Sequence, residues 1–344
     1  MIPVAAMTAR ELIQGPLDLP PHVVLLVAGA SRASFPEGDA TGKQVPVMDD
    51  LVETLNLHQL IGEADHRPID DRNFELIYAR LVSREEFSPI ARELERRIRD
   101  YFSDLSLPDR PTIYDRIVLS LRPKDAVLTF NWDPFLFDAY QRNCDVVPLP
   151  RIFFLHGNVR IGACRDHGKW GAKNGKCPEC RRTFSEVPLL YPVQQKSYSA
   201  DPYIRWNWDA AGILFEQAFT LTIFGYSAPA SDQDAYELLR QEWYTEGRRD
   251  FEHIEIIDTA PQSLLHERWS PFAPTYHYHV ESPFEQSQIA RWPRRTAESL
   301  FYPMSQGEPC EAFPPPEPDR FPELRDYIAQ IAGWEPVDGG PHRQ

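Results

Sequence analysis

The sequence predicts an α/β protein with a Rossmann-like, doubly wound parallel sheet, a helical insertion and a small zinc-ribbon module. Three observations support this fold class. Continuous apolar runs such as His22 to Val27 are typical of strands that are covered on both faces of a parallel sheet. Segments of helical periodicity alternate with these runs, as expected of βαβ units. Three cysteines and a histidine share one short window, which in a reducing compartment indicates a metal site.

Composition limits the class of protein. Lys plus Arg 36 against Asp plus Glu 51 gives a formal net charge of -15, so the bulk electrostatics oppose nucleic-acid binding. No apolar run has the length of a membrane span, and the N-terminus has no signal-peptide pattern. We therefore expect a cytoplasmic protein without membrane contact. Its 344 residues suffice for one large α/β domain and a smaller module.

The first predicted strand, His22 to Val27, belongs to residues 1–47, the first part of the sheet domain. It ends in four small residues: Ala28, Gly29, Ala30 and Ser31. Small residues after a first strand let backbone N–H groups approach a phosphate, and the serine hydroxyl adds a donor. Packing alone explains such a turn equally well.

Residues 48–122 have helical periodicity and are predicted to form the helical insertion. The next strand, in residues 123–160, runs directly into Asn131 and Asp133. Ligands of open parallel sheets bind outside the carboxyl ends of the strands, so both residues are candidates for chemistry. Taken alone, they also fit a turn-forming Asn and an Asp that caps a helix with Pro134 at its first position.

A further apolar run from Arg151 to Leu155 leads into His156 and Gly157. A lone histidine is more often structural than catalytic. One placed just past a buried strand, however, is well positioned to act as a general base near neutral pH.

The zinc-ribbon module is assigned to residues 161–200. Its candidate ligands form two pairs, each with two intervening residues: Cys164 and His167, then Cys177 and Cys180. Such pairs close a tetrahedral Cys3His site, which indicates a structural zinc. His167 is the weakest member of the set, because it could lie beside the metal. Cys144 and Cys310 have no nearby partners and are expected to be ordinary thiols.

Two more strands are predicted in residues 201–302, the remainder of the sheet domain. Phe219 to Phe224 ends in Gly225 and Ser227, and His253 to Ile257 ends at Asp258. An acidic residue at such a strand end is a common partner of ribose hydroxyls, although it also serves as a cap. Residues 303–344 are predicted to be a proline-rich linker and a C-terminal helix that docks on the body or on another subunit.

The ordered set AGAS, TFNWD, LHG, zinc ribbon, GYS and IID resembles the sirtuin family from about Val23 to Asp258. The resemblance implies that NAD+ lies between the sheet domain and the zinc-bearing module. It implies roles for each strand end: Ala28 to Ser31 around the phosphates, Gly225 and Ser227 beside the cofactor, Asp258 on the adenosine ribose, Asn131 and Asp133 around the nicotinamide ribose, and His156 as the base.

Two differences from the protein deacylases of the family bear on whether water or an acyl-lysine peptide is the acceptor. Protein deacylases of that family carry a Phe-Arg pair after the glycine-rich loop and a Val and Phe-Gly-Glu segment after the zinc ribbon, whereas this chain reads KQVPVMDDL and PLLYPVQQKSY. The chain therefore looks like bacterial sirtuin-like proteins, many of which are NAD+ hydrolases in anti-phage defence.

The leading hypothesis is an NAD+ glycohydrolase that consumes NAD+ as substrate, gives nicotinamide and ADP-ribose, and acts in defence by NAD+ depletion. One alternative is an NAD-dependent protein-lysine deacylase or ADP-ribosyl transferase. Another is a silent sensor or assembly subunit that binds NAD+ or ADP-ribose without turnover. The sequence leaves open whether the protein forms a homo-oligomer or acts with a defence partner protein.

Overall fold

A six-stranded parallel sheet forms the centre of the protein. The computed structural model describes residues 6–64, 73–191, 200–225, 253–269, 278–316 and 320–336. The strands in these residues are β1 (His22–Leu26), β2 (Ala126–Thr129), β3 (Arg151–Phe154), β4 (Ile161–Cys164), β5 (Lys169–Ala172), β6 (Ser185–Glu186), β7 (Thr220–Phe224), β8 (His253–Ile257) and β9 (Tyr278–Glu281). The main sheet has the order β3-β2-β1-β7-β8-β9, and each neighbouring pair is parallel. The predicted α/β fold class is confirmed.

The helices in the described residues are α1 (Ala9–Gln14), α2 (Ala28–Ser34), α3 (Leu51–Thr54), α4 (His58–Ala64), α5 (Phe74–Val82), α6 (Ser88–Ser103), α7 (Ile113–Ser120), α8 (Phe135–Asn143), α9 (Pro202–Gln217), α10 (Gln262–Trp269), α11 (Gln288–Arg291), α12 (Glu298–Phe301) and α13 (Phe321–Ala332). Short helical turns cover Glu85–Phe87, Phe284–Gln286 and Tyr302–Gln306. None of the described helices is both long and apolar enough to span a bilayer.

The central strands are buried along their whole length, which explains their unbroken apolar sequence. Three of the polar exceptions are paired across the sheet. His22 Nε2 lies 2.8 Å from Thr222 Oγ1, and that hydroxyl donates to Glu255 Oε2, also at 2.8 Å. Burial lowers the pKa of His22 to about 3 and raises that of Glu255 to about 7. Hydrogen bonding thus compensates the burial of polar groups in the core.

Helices α3 to α7 lie between β1 and β2 in sequence, where the helical insertion is predicted. The last of them, α7, is fixed firmly against the sheet domain. Thr112 and Asp115 form a capping box at its N-terminus. Asp115 is fully buried and accepts hydrogen bonds from Arg142 and Asn143 of α8. These contacts hold α7 beside the C-terminal end of β2.

The second sheet has three strands in the order β5-β4-β6, and its antiparallel pairing is typical of a ribbon. It contacts the main body through two indole rings that pack on each other at an angle of 48°. The ring centroids of Trp170 in β5 and Trp206 in α9 lie 4.5 Å apart.

The C-terminal helix α13 docks on the body of the same chain, and three of its apolar side chains, Leu324, Ile328 and Ile331, are buried. Beyond it, Glu335 accepts hydrogen bonds from Arg294 at 2.7 and 2.8 Å. Of the two docking modes left open by the sequence, the described residues therefore show docking on the body.

The structure differs from the predictions at several points, and the small residues predicted to form a turn after β1 begin helix α2 instead. Strand β9 has no counterpart among the predicted strands, because as an edge strand it lacks the continuous apolar run that marks the buried ones. Helix α8 begins at Phe135 with Pro134 as its N-cap residue, one position later than predicted. Asp133 nevertheless caps it, since its Oδ1 accepts from the Phe135 N–H at 3.2 Å.

Candidate active site

A cavity of about 750 Å³ lies at the C-terminal ends of the main strands. The predicted site residues that line it are Ala28, Gly29, Ser31, Asn131, Asp133, His156, Gly225 and Asp258. Ala30 is buried in α2 and does not line the cavity. Ser227 lies outside the described residues. The structure thus brings together side chains that are separated by more than 200 positions in the sequence, as the topology of a parallel sheet predicts.

The start of helix α2, directly after β1, contacts Gly225 after β7 backbone to backbone. The Gly29 N–H donates to the Gly225 oxygen at 3.0 Å, and the Ala30 N–H donates to the Val27 oxygen at 2.8 Å. Gly225 has a φ of +71°, and a Cβ there would lie 2.1 Å from Ala30 N. Glycine is therefore required at Gly225. Because the N–H groups of Gly29 and Ala30 are engaged within the protein, the phosphate-binding role of these small residues stays a prediction.

The amide of Asn131 has one defined orientation. Its Nδ2 donates to the Val27 oxygen at 3.0 Å and to Ser31 Oγ at 2.9 Å. The Val27 carbonyl only accepts, so Nδ2 must face it, and the amide oxygen Oδ1 points the other way. No described residue donates to Oδ1, and Asn131 lines the cavity. Oδ1 is thus available to accept a hydrogen bond from a ligand hydroxyl.

Asp133 is a buried carboxylate at the same strand end, with 3% of its surface exposed. Its Oδ2 accepts from the Ser31 hydroxyl at 2.6 Å, and its Oδ1 accepts from the Phe135 N–H. Burial raises its pKa to about 6, although both hydrogen bonds oppose the shift. Asp133 therefore caps α8 and also places a carboxylate at the cavity.

His156 lines the cavity from the end of β3, and its ring packs on Phe130 with centroids 4.5 Å apart. The chain that returns from the zinc module holds its backbone, because the Leu190 N–H donates to the His156 oxygen at 2.9 Å. The next residue, Gly157, has a φ of +79°, and a Cβ there would lie 2.0 Å from the Pro188 oxygen. A glycine is therefore needed directly after the histidine.

Asp258 follows β8 and is partly exposed. Its Oδ1 accepts from the Ala260 N–H at 2.8 Å, and no described residue donates to Oδ2. Capping the turn thus leaves one carboxylate oxygen for a ligand hydroxyl, so the capping and ligand-binding interpretations are compatible.

Acidic residues dominate the ionisable lining of the cavity, namely Asp49, Glu75, Asp133, Asp258 and Glu285. Among the described residues, the lining contains one imidazole and no Lys or Arg. Such a cavity has a negative potential that favours a cationic group on its ligand.

Several lining residues were not singled out from the sequence. Asp49 and Glu75 come from the helical insertion, and Trp132 lies between the two predicted site residues after β2. Tyr114, in α7, contacts the site residues Ser31 and Asn131 through its hydroxyl. The tyrosine lies among apolar residues at helical spacing, so local pattern gave no signal of its role.

The four predicted metal ligands come together in the small sheet. The candidate ligand atoms of Cys164, His167, Cys177 and Cys180 all lie within 4.8 Å of one another. Cys164 Sγ is 3.8 Å from Cys180 Sγ and 3.4 Å from His167 Nδ1. A tetrahedron with zinc–sulfur bonds of 2.3 Å has edges of about 3.8 Å, so the donor set and its spacing fit a structural zinc.

Replacing Cys177 with Ser is expected to remove zinc from the protein and lower its thermal stability. Cys177 is fully buried, and the free energy of structural zinc binding is coupled to the folding of the surrounding module. Zinc content by mass spectrometry and the melting temperature measure both effects. The exposed thiol Cys144 offers a matched control, since Cys144→Ser should keep the metal. A fully metallated and stable Cys177→Ser protein would contradict the ligand assignment.

Comparison with known proteins gives structural neighbours only. No protein-family model and no curated protein matches the chain. Similar solved structures include a Sir2 homologue variant in complex with ADP-ribose, at 15% identity and a TM-score of 0.37, covering 79% of this chain and 89% of that chain. A second such variant complex has 14% identity, a TM-score of 0.37 and coverages of 95% and 98%. A Sir2 homologue–NAD complex has 14% identity, a TM-score of 0.35 and coverages of 79% and 87%.

These neighbours are Sir2 homologues, the family that the strand-end motifs resemble. At these identities and TM-scores, the assignment of function depends on the chain's own residues.

Proposed function

We propose that the protein is a sirtuin-like NAD+ glycohydrolase that cleaves NAD+ to nicotinamide and ADP-ribose. One observation carries the proposal: Asn131, Asp133 and His156 follow neighbouring strands and line one cavity together with small residues at the start of α2. Hydrolysis of a ribosyl bond needs a hydrogen-bond acceptor for a hydroxyl, a carboxylate that stabilises positive charge and a base. The amide oxygen of Asn131, Asp133 and the imidazole of His156 provide these groups at one edge of the sheet.

The electrostatics of the cavity favour the nicotinamide end of this substrate. The nicotinamide ring of NAD+ carries a positive charge, and the described lining is acidic without Lys or Arg. As the bond between ribose C1′ and the ring nitrogen breaks, its electron pair leaves with nicotinamide and positive charge moves to the ribose. Asp133, charged above its pKa of about 6, stabilises that charge at neutral pH.

Other residues of the chain act on water, which is the proposed acceptor of the ADP-ribosyl group. In the proposed mechanism, Asn131 Oδ1 holds a ribose hydroxyl or the attacking water, and His156 takes the proton of that water as its oxygen bonds to C1′. The products are nicotinamide, ADP-ribose and one proton. Asp258 Oδ2 is the proposed partner of the adenosine ribose. In a bacterial cell such turnover would deplete NAD+, in keeping with a defence effector.

Water is the proposed acceptor because the segment that returns from the zinc module packs directly on the site. Leu190 lines the cavity and bonds to the His156 oxygen. It belongs to PLLYPVQQKSY, the stretch that departs from the peptide-pairing segment of deacylases. Residues 192–198 of this stretch lie outside the described residues.

The test is purified protein with NAD+ alone and with NAD+ plus an acetyl-lysine peptide, followed by chromatography of the products. Release of nicotinamide and ADP-ribose without peptide, lost in His156→Ala, is the expected result. Release only with peptide, together with O-acetyl-ADP-ribose, would make the protein a deacylase. ADP-ribose binding without turnover would favour the silent sensor.

Replacing Asp133 with Asn is expected to make the protein less active but more stable at high pH. Burial raises the folded-state pKa of Asp133 from 3.8 to about 6. The folded state therefore holds this proton more tightly than the unfolded chain. The stability that results is present below about pH 4 and is lost as the pH rises through 6. Above pH 6 the buried charge costs on the order of 1–3 kcal/mol, which an uncharged Asn avoids.

Melting temperatures at pH 4 and pH 8 measure this effect. The stability gain of Asp133→Asn should appear at pH 8 and vanish at pH 4, while nicotinamide release stays low. Asp145 is exposed, so Asp145→Asn should match the wild type in both assays. An Asp133→Asn protein that is destabilised at pH 8 would show that the carboxylate's hydrogen bonds outweigh its desolvation.

A further inference from the structure

The hydroxyl groups behind Asn131 form a directed relay. Asp133 is a hydrogen-bond acceptor when ionised, so the Ser31 hydroxyl, 2.6 Å from Oδ2, must donate to it. Ser31 Oγ has then used its only hydrogen. It accepts from the two other groups that contact it, the Tyr114 hydroxyl at 2.6 Å and Asn131 Nδ2 at 2.9 Å. The relay thus runs from Tyr114 through Ser31 to Asp133.

The surroundings of Tyr114 keep its hydroxyl protonated and in place as the donor of this relay. It is 1% exposed, and burial raises its pKa well above 10, so its hydroxyl keeps its proton at any working pH. Its ring packs against the rings of Phe35 and Phe135, with centroids 6.2 and 6.0 Å away. The capping box of α7 and the Asp115 contacts to α8 fix the backbone that carries it.

We propose that Tyr114 is a positioning residue, whose hydroxyl fixes Ser31 and thereby holds the Asn131 amide with Oδ1 toward a ribose hydroxyl of the bound ligand. This inference deepens the proposed function and rests on it for the identity of the ligand. It also gives the helical insertion a part in the site, because α7 delivers the relay's first donor. Without the Tyr114 hydroxyl, Ser31 loses a fixed donor and Asn131 loses the rigidity of its anchor.

Removing only the Tyr114 hydroxyl tests the positioning role of the residue without changing the packing of its ring. Tyr114→Phe keeps the ring and its packing on Phe35 and Phe135 and deletes only the hydroxyl, which is the relay's donor and also an acceptor 3.3 Å from Asn131 Nδ2. The readout is the affinity for ADP-ribose, measured by titration calorimetry for the wild type, Tyr114→Phe, Asn131→Ala and the double variant. Tyr327→Phe is the matched control, because it deletes a tyrosine hydroxyl with a bond of 2.7 Å, to the Phe313 oxygen.

Tyr114→Phe is expected to weaken ADP-ribose binding by about fivefold. If the hydroxyl acts through Asn131, the double variant binds no more weakly than Asn131→Ala alone. Wild-type affinity in Tyr114→Phe would overturn the inference, as would two effects that multiply in the double variant. The Tyr327→Phe control should bind ADP-ribose like the wild type.

The same experiment distinguishes this inference from the proposed function. A wild-type protein that binds ADP-ribose but releases no nicotinamide refutes the hydrolase, while the cycle of variants still tests Tyr114. Normal turnover and binding in Tyr114→Phe refutes only the positioning role. A wild-type protein that neither binds ADP-ribose nor releases nicotinamide refutes both.

Discussion

Replacing Asn131 with Ala is expected to lower the rate of nicotinamide release from NAD+ by about 100-fold or more. The amide's Nδ2 is anchored on Val27 and Ser31, which leaves Oδ1 as a fixed acceptor at the cavity. A fixed acceptor stabilises the transition state without having to reorient during the reaction. Its removal also leaves a ribose hydroxyl or the attacking water without a partner. Initial rates of nicotinamide release, followed by chromatography, measure the effect.

The variant should keep its fold. Asn131→Ala removes the Nδ2 hydrogen bonds to the Val27 oxygen and to Ser31 Oγ, a loss of about 2 kcal/mol in all, so the melting temperature should fall by only a few degrees. Asn174, an exposed residue of the zinc module, provides the control, because Asn174→Ala should match the wild type in rate and stability. If Asn131→Ala turns NAD+ over at the wild-type rate, Asn131 has no part in the mechanism.

A feature of the structure could be predicted from the sequence when neighbouring residues mark it. Buried parallel strands are marked locally by their apolar runs, and candidate chemistry is marked by polar residues directly after those runs. Asn131, Asp133 and His156 could be found in this way because each follows a buried strand. The topology of the parallel sheet then brings these strand ends to one edge, where the structure has a cavity.

What the sequence could not predict depends on long-range contacts. Tyr114 meets Ser31 across 83 positions, and Gly225 meets Gly29 across nearly 200. Nothing near Tyr114 in the sequence distinguishes it from an ordinary core residue of α7. Likewise, the dual role of Asp133 is visible only where both of its oxygens have partners.

Replacing Gly157 with Ala is expected to cost about 3 kcal/mol or more of folding free energy and to displace His156. Two terms combine. A φ of +79° is strained for a residue with a Cβ, by about 1–2 kcal/mol. The new Cβ would also lie 2.0 Å from the Pro188 oxygen, a backbone atom held in place by the Leu190 bond to His156. Overpacking of this kind costs roughly 1–3 kcal/mol.

Gly42 separates the two terms. Its φ is +81°, nearly that of Gly157, but a Cβ there would have no atom within 4 Å. Gly42→Ala should therefore show the conformational strain alone, while Gly157→Ala shows the strain and the overlap. Urea unfolding gives both free energies, and nicotinamide release reports on His156. Equal stability of the two variants would mean that the returning segment yields to the new methyl group. In that case, contact with residues 188–190 would not be what holds the histidine at the end of β3.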